Sequence, residues 1–212
     1  MIQLSRTETR LNLSSESVQE IQNQFRTSHY AILPNLLDPE LLDITLARLG
    51  KAQFVTRQYE DFGRDEWPDD PVVPAILNLV CNGDVLLKTV EELTGAGPLD
   101  SFVGKIYRMV PGKNHFDSWH DDLIDGRRVA LSINLSPEPF GGGVLEIRKR
   151  DTKEVVSRVA GTESGHGILF RIDDNLEHRR TPVIGETAKV AFAGWFKSGM
   201  TFHEHFRINR RY

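Results

Sequence analysis

The 212-residue chain carries 26 Lys and Arg against 30 Asp and Glu, a formal charge of −4, and 39% of it is hydrophobic. This is an ordinary globular composition, and it disfavours a nucleic-acid partner, because neutralising phosphates takes an excess of cations. The lone Cys81 excludes an internal disulfide and a thiolate metal cluster, and no apolar run reaches the roughly 20 residues that cross a membrane. Met1 to Arg6 lacks the basic-then-apolar pattern of a secretory leader, so a reducing, cytoplasmic setting is expected.

The first half reads as helical. Ser17 and Glu20 have capping-box spacing, with Val18, Ile21 and Phe25 following on one face. Tyr30 to Leu33 is a short strand candidate. Asp38-Pro39 offers an N-cap and a first-turn proline, Leu42, Leu46 and Leu49 a stripe, and Gly50 a terminator. Asp84 is placed to cap a further helix with Leu86, Val90 and Leu93 inward and Gly95 at its end. The acidic stretch 61–71 reads as a loop of the kind that covers active sites, and Cys81 as a buried thiol at the end of an apolar run.

From about residue 100 the pattern changes to short runs separated by turn residues. Strands are expected over 102–110, 119–123, 129–135, 144–148, 154–159, 168–172 and 189–196. Punctuation comes from Pro111-Gly112, Asp125-Gly126, the Pro137-Glu138-Pro139 segment, Gly141-Gly142-Gly143, Gly161 and Gly185. Helices first and strands after, without a linker or repeat, predict one α+β domain, mainly β, over 1–212. Helical support occupies about 1–99, a jelly roll about 100–197 and a tail 198–212.

Chemistry concentrates at Trp119-His120-Asp121-Asp122 and Leu176-Glu177-His178-Arg179. In an extended strand His120 and Asp122 project to one face and Asp121 to the other. A later histidine from a neighbouring strand completes two imidazoles and one carboxylate, the facial set of non-haem Fe(II) oxygenases. His115-x-Asp117 has the same spacing but follows Pro111-Gly112-Lys113-Asn114, so it is assigned to a turn. For the distal ligand, His178 precedes Thr181-Pro182-Val183 and a strong strand, whereas His166 lies between two glycines. His203 and His205 lie past the last strand.

The ordered series is more specific than any one tripeptide. Tyr107 with Pro111-Gly112 comes first, then His120-x-Asp122, Ile133-Asn134-Leu135, Gly142-Gly143-x-Leu145 and Gly167 with Leu169-Phe170. His178, Pro182-Val183, Gly185-Glu186 and Gly194-Trp195-Phe196 complete it. Over residues 100–197 the chain resembles the 2-oxoglutarate/Fe(II)-dependent dioxygenases, in particular their prolyl-hydroxylase-like branch. The resemblance implies a double-stranded β-helix flanked by helices, with Fe(II) held by His120, Asp122 and His178 and with 2-oxoglutarate and O2 as cosubstrates. It also implies hydroxylation of an unactivated C–H bond. Related halogenases lack the carboxylate, so Asp122 points away from halogenation.

Members anchor the distal carboxylate of 2-oxoglutarate with an Arg or Lys a short interval after the distal histidine. Here Lys189 takes that role, a costly charge in an apolar strand unless a ligand pairs it, and Thr187 on the same face adds a hydroxyl. Asn134 stands where a cosubstrate-binding tyrosine is common, and Tyr107 is a further lining candidate. Arg128 and Arg180 offer forks of donors for a substrate carboxylate. Trp119 and Trp195 read as packing residues, and the triple glycine as a tight turn or bulge. The expected partner is an amino-acid or peptide side chain or a free small metabolite, with homo-oligomerisation open. The rival reading is a cupin-type metal protein that does not use 2-oxoglutarate.

Overall fold

The computed structural model describes residues 1–59, 63–199 and 201. Four helices precede most of the strands: α1 (Ser15–Ser28), α2 (Pro39–Leu49), α3 (Val72–Cys81) and α4 (Asp84–Thr94). The strands are β1 (Ile2–Leu4), β2 (Thr9–Leu11), β3 (Tyr30–Leu33), β4 (Phe54–Tyr59), β5 (Gly63–Pro68), β6 (Ser101–Met109), β7 (Phe116–Asp117) and β8 (Arg127–Asn134). After them come β9 (Gly141–Gly142), β10 (Leu145–Lys149), β11 (Val155–Val159), β12 (Gly167–Arg171), β13 (Leu176–Arg180), β14 (Val183–Ile184) and β15 (Lys189–Lys197).

An eight-stranded sheet runs β3-β12-β8-β15-β6-β5-β4, with β7 against β5. A smaller sheet, β11-β10-β13, and the pair β14-β9 face it, so the antiparallel strands curl into a double-stranded β-helix. One apolar core lies between the large sheet and the helices, with Phe25, Leu77, Leu86, Phe102, Phe192 and Phe196 at its centre. A second fills the roll itself, with Leu145, Ile147, Ile168 and Phe170. Alternation along β8 and β15 divides side chains between the two, which is why both strands read as continuous apolar runs.

Helix ends follow local chemistry. Asp38 accepts from the Leu41 amide at 2.8 Å with Pro39 in the first turn, as expected. The cap of α1 is Ser14, three residues before the Ser17 expected, and its hydroxyl accepts from the Ser17 amide at 3.1 Å. α4 starts at Asp84 after an N-cap at Gly83 and stops at Gly95, whose φ of 67° is the left-handed region glycine adopts freely.

The apolar run before Cys81 is a helix, α3, burying Val73, Leu77 and Cys81 at four-residue intervals, so the thiol is buried as expected. Two expectations differ from the structure. The other residues of the acidic stretch 61–71 are mostly strand: Gly63–Pro68 pairs with Phe54–Tyr59 in a hairpin, while Asp61 and Phe62 lie outside the described residues. Asp65 and Trp67 need that extended geometry to reach the roll. The second is the 119–123 segment, which forms no strand beyond an isolated bridge at His120.

Two asparagines finish the sheet where β5 stops covering β6. Asn78 exchanges hydrogen bonds with the backbone of Gly104 at 2.7 and 2.8 Å, and Asn82 does so with Phe102 at 2.8 Å each way. The α3 amides thus satisfy an otherwise open strand edge. Opposite, Gly104 and Gly194 are register partners across β6 and β15, and a Cβ on Gly194 would overlap the Gly104 backbone.

Candidate metal centre and cavity

The two halves of the centre are joined through their own backbones. His120 donates its amide to the His178 carbonyl at 3.0 Å, and His178 returns the bond at 2.8 Å. This bridge sets the imidazoles 4.3 Å apart between ring centroids. Asp122 then reaches them by a turn rather than by strand alternation: its φ is +59°, in the left-handed region. The expected same-face projection is therefore achieved by a different backbone path.

One oxygen takes the central place. Asp122 Oδ2 lies 3.6 Å from His120 Nε2 and 3.3 Å from His178 Nε2, and one ligand atom from each of the three residues falls within 4.8 Å of the others. The same Oδ2 accepts from Trp195 Nε1 at 2.7 Å, while Oδ1 accepts from Arg127 at 2.7 Å. Arg127 in turn stacks 3.6 Å over the Trp195 ring. Trp195, expected only to pack, orients the carboxylate. His120 Nδ1 lies 2.7 Å from the Ser118 carbonyl, so as its donor it leaves Nε2 free for a metal.

Electrostatics follow from this crowding. Burial alone would raise the Asp122 carboxyl, but the hydrogen bonds and charges of His120 and His178 hold it far below the usual carboxylate range. His120 is disfavoured as a cation by burial, yet Asp122 and Asp117 keep it up at about 9. His178, wholly enclosed and beside a second imidazole, is lowered. Two imidazole nitrogens and one carboxylate oxygen converging in this way are a donor set suited to Fe(II), with room left for further ligands.

That room is a cavity of ≈ 570 Å³. Its walls alternate along three strands: Lys105, Tyr107 and Met109 from β6, Ala130 and Ser132 from β8, and Ala193 and Trp195 from β15. Alanine and serine at inward positions are what leave the roll hollow here. His178 and Arg180 enter from β13, and Phe170 packs edge-on against His178 at 4.8 Å.

The remaining site candidates divide. Tyr107 lines the cavity, and burial raises its hydroxyl. Arg180 lines it too, 7% exposed, two residues from His178 on the same strand face. Lys189 is buried on the inner face of β15 but is not among the lining residues: its Nζ donates to the Gly143 carbonyl at 3.1 Å and lies 5.1 Å from the centre of the Phe140 ring. Thr187 precedes β15 and is half-buried away from the cavity lining. Asn134 is also outside the lining, because its amide bridges the Thr162 carbonyl and the Ser136 amide. Arg128 is exposed and donates to Ser198. The tail from Phe202, with His203 and His205, lies outside the described residues.

The tripeptide set aside by spacing contributes half of itself. His115 turns away, accepting the Val110 amide at 2.8 Å. Asp117, however, lines the cavity with Oδ1 3.6 Å from His120 Nδ1, and its Oδ2 accepts the Arg180 amide at 2.9 Å. Asp65, Lys105, Arg127 and Asp117 are among the polar lining residues that sequence reasoning missed. Alternation with Tyr107 along one strand would have flagged Lys105; the others depend on how loops and the hairpin pack.

Comparison with known proteins agrees with this geometry. Residues 104–197 match the family model described as the 2OG-Fe(II) oxygenase superfamily. A search of the curated proteins gives no match. Among solved structures, an oxidoreductase of the 2OG-Fe(II) oxygenase family from Burkholderia pseudomallei is 16% identical, with 90% of this chain and 95% of that one covered at a TM-score of 0.64. A prolyl-4-hydroxylase from Pseudomonas putida is 19% identical, covering 85% and 98% at 0.61. A prolyl hydroxylase from Trichoplax adhaerens, solved with a hypoxia inducible factor peptide fragment, is 18% identical, covering 91% and 94% at 0.61. Residues 104–197 are thus similar to the 2OG-Fe(II) oxygenase superfamily, whose members the metal donor set and the cavity resemble, and the solved structures share the fold.

Proposed function

We propose that this protein is a 2-oxoglutarate- and Fe(II)-dependent dioxygenase that hydroxylates an unactivated C–H bond on the side chain of an amino acid, free or within a peptide. The observation that carries the reading is the convergence of His120, Asp122 and His178 on one wall of a cavity large enough for a cosubstrate and a small substrate together. Fe(II), 2-oxoglutarate and O2 supply the oxidising chemistry, one oxygen atom entering the product alcohol and the other the succinate formed with CO2.

The protein's share is to hold and exclude. His120 and His178 present Nε2, and Asp122 presents Oδ2 with its second oxygen occupied by Arg127. Trp195 keeps that carboxylate from rotating. Arg180 is assigned to the distal carboxylate of 2-oxoglutarate in preference to Lys189, because it is a buried cation that already faces the cavity beside Tyr107 and Ser132. Phe170 and Met109 close the inner wall against water.

A peptide substrate has a precedent in the Trichoplax adhaerens enzyme, whose structure contains a peptide fragment. The test is to supply the purified protein with Fe(II) and 2-oxoglutarate and to measure succinate across a panel of amino acids and peptides. Turnover should depend on 2-oxoglutarate and be abolished by Asp122→Ala or His178→Ala. Oxidation of a substrate without 2-oxoglutarate would instead support the cupin-type reading.

A further inference from the structure

The cavity holds a second pair of polar groups that the metal centre does not use. Asp65 on β5 and Lys105 on β6 both line it. Asp65 Oδ1 is buried without a hydrogen-bond donor, and among the described residues no cation forms an ion pair with this carboxylate. Lys105 is held in place by a neutral group instead: its Nζ donates to the Tyr59 hydroxyl at 2.7 Å, and Trp67 Nε1 donates to the same oxygen at 2.6 Å. Arg57 lies 3.5 Å over the Trp67 ring and completes this small frame.

Both charges are expensive where they stand. Burial pushes the Asp65 carboxyl up to about 7, and it lowers Lys105. The two attract one another without forming an ion pair, and a partly desolvated charge of this kind is stabilised where a ligand pairs it in contact. The neighbouring charges are already committed: Arg127 to Asp122, Asp121 to Arg150, and Asp117 to the Arg180 amide. What is left over at this end is one anion and one cation. Two exposed apolar side chains, Phe116 and Ile124, line the same cavity.

We propose that Asp65 and Lys105 bind the ammonium and carboxylate of a free aliphatic α-amino acid, whose side chain lies along Phe116 and Ile124 toward the metal centre. The inference rests on the hydroxylase reading above and narrows it from amino acids in general to free ones. A residue inside a peptide presents a neutral N–H and carbonyl at these positions and leaves both half-buried charges without a counter-ion in contact. That mismatch costs more than a lost contact, because discrimination by a buried charged site comes from the partner left without a counter-ion.

The test compares free leucine, isoleucine, valine and methionine with their N-acetyl, carboxamide and des-amino forms, using the full chain loaded with Fe(II) and 2-oxoglutarate. At least one free amino acid should stimulate succinate formation, and each blocked form should lower kcat/KM for it at least tenfold. In Asp65→Asn, the kcat/KM ratio of the free amino acid to its des-amino analogue should fall at least tenfold; Lys105→Met should do the same for the ratio to the carboxamide. Ratios are insensitive to partial loss of folded protein. Asp65→Glu should restore part of the first ratio. Stimulation by blocked forms or internal peptide residues equal to that by free amino acids overturns the inference while leaving the hydroxylase reading intact. No 2-oxoglutarate-dependent succinate under any condition would overturn both.

Discussion

Trp195 and Asp122 are 73 residues apart in sequence and 2.7 Å apart in the fold, the indole N–H donating to the same carboxylate oxygen that faces both histidines. This bond and the Arg127 bond to the other oxygen leave the carboxylate one orientation. Outer partners of metal ligands commonly matter about 10–100-fold in affinity. Trp195→Phe keeps the ring that Arg127 stacks on and removes only the donor. Its Fe(II) affinity, measured anaerobically by calorimetry, should fall at least tenfold with little change in Tm. Unchanged affinity would reduce Trp195 to a packing residue.

Arg180 and Lys189 make competing claims on the cosubstrate. Arg180 sits on the His178 strand face and lines the cavity, whereas Lys189 is engaged with the Gly143 carbonyl. Arg180→Gln should weaken 2-oxoglutarate binding to the Fe(II)-loaded protein by roughly tenfold or more, the scale of a charge-assisted hydrogen-bonded pair. Lys189→Met, which keeps the stem's packing, should weaken it by less than about threefold, equivalent to about 0.6 kcal/mol. The anaerobic charge-transfer absorption of the ternary complex reads binding directly, without turnover. The opposite order would return the role to Lys189.

Much of this was legible before any coordinates. The ordered motifs placed the roll, and the residues His120, Asp122 and His178 are brought together. Strand cores were visible because β8 and β15 are buried on both faces and read as apolar runs. The hairpin β4–β5 was hidden by its charge: residues such as Arg57, Asp65 and Glu66 look solvated in sequence, yet Arg57 and Asp65 are register partners, Asp65 faces the cavity and Glu66 is ion-paired to Arg108. Asn134 and Arg128 failed to reach the cavity for a different reason. Position in a motif fixes which strand a residue occupies, but the loop around Thr162 and the Ser198 hydroxyl decide where those side chains bond.

Glu66 ties that hairpin to the roll. It is the register partner of Arg108, ion-paired to it at 2.5 Å and to Lys113 at 3.2 Å, with its side chain almost wholly buried. Burial alone would raise its carboxyl, but the bonds from Arg108 and Lys113 bring it below the ordinary value. A depressed folded pKa means that its stabilisation is complete above the unfolded value, near 4.5, and is lost as pH falls through the folded one. Glu66→Gln should cost about 2 kcal/mol at pH 7, less than a fully enclosed pair because Arg108 is partly exposed. The difference between the two proteins should shrink on acidification below that range. A difference that stays constant down to acid pH would mean the contribution is packing, not charge.

Asp65 has the opposite displacement, and its consequence is catalytic rather than structural. Burial raises its carboxyl to about 7, against the attraction of Lys105, the Trp67 indole and Arg57 and with a further upward push from Asp117. Binding an ammonium requires the ionised form. For the free amino-acid substrate, kcat/KM should therefore rise with pH up to about 7 and level off above it, falling about tenfold for each unit below. Binding of the cation will itself favour ionisation, so the profile for kcat should turn down at a lower pH than that for kcat/KM. In Asp65→Asn the acid limb should disappear from kcat/KM, and a limb that survives the substitution would assign the titration to another group.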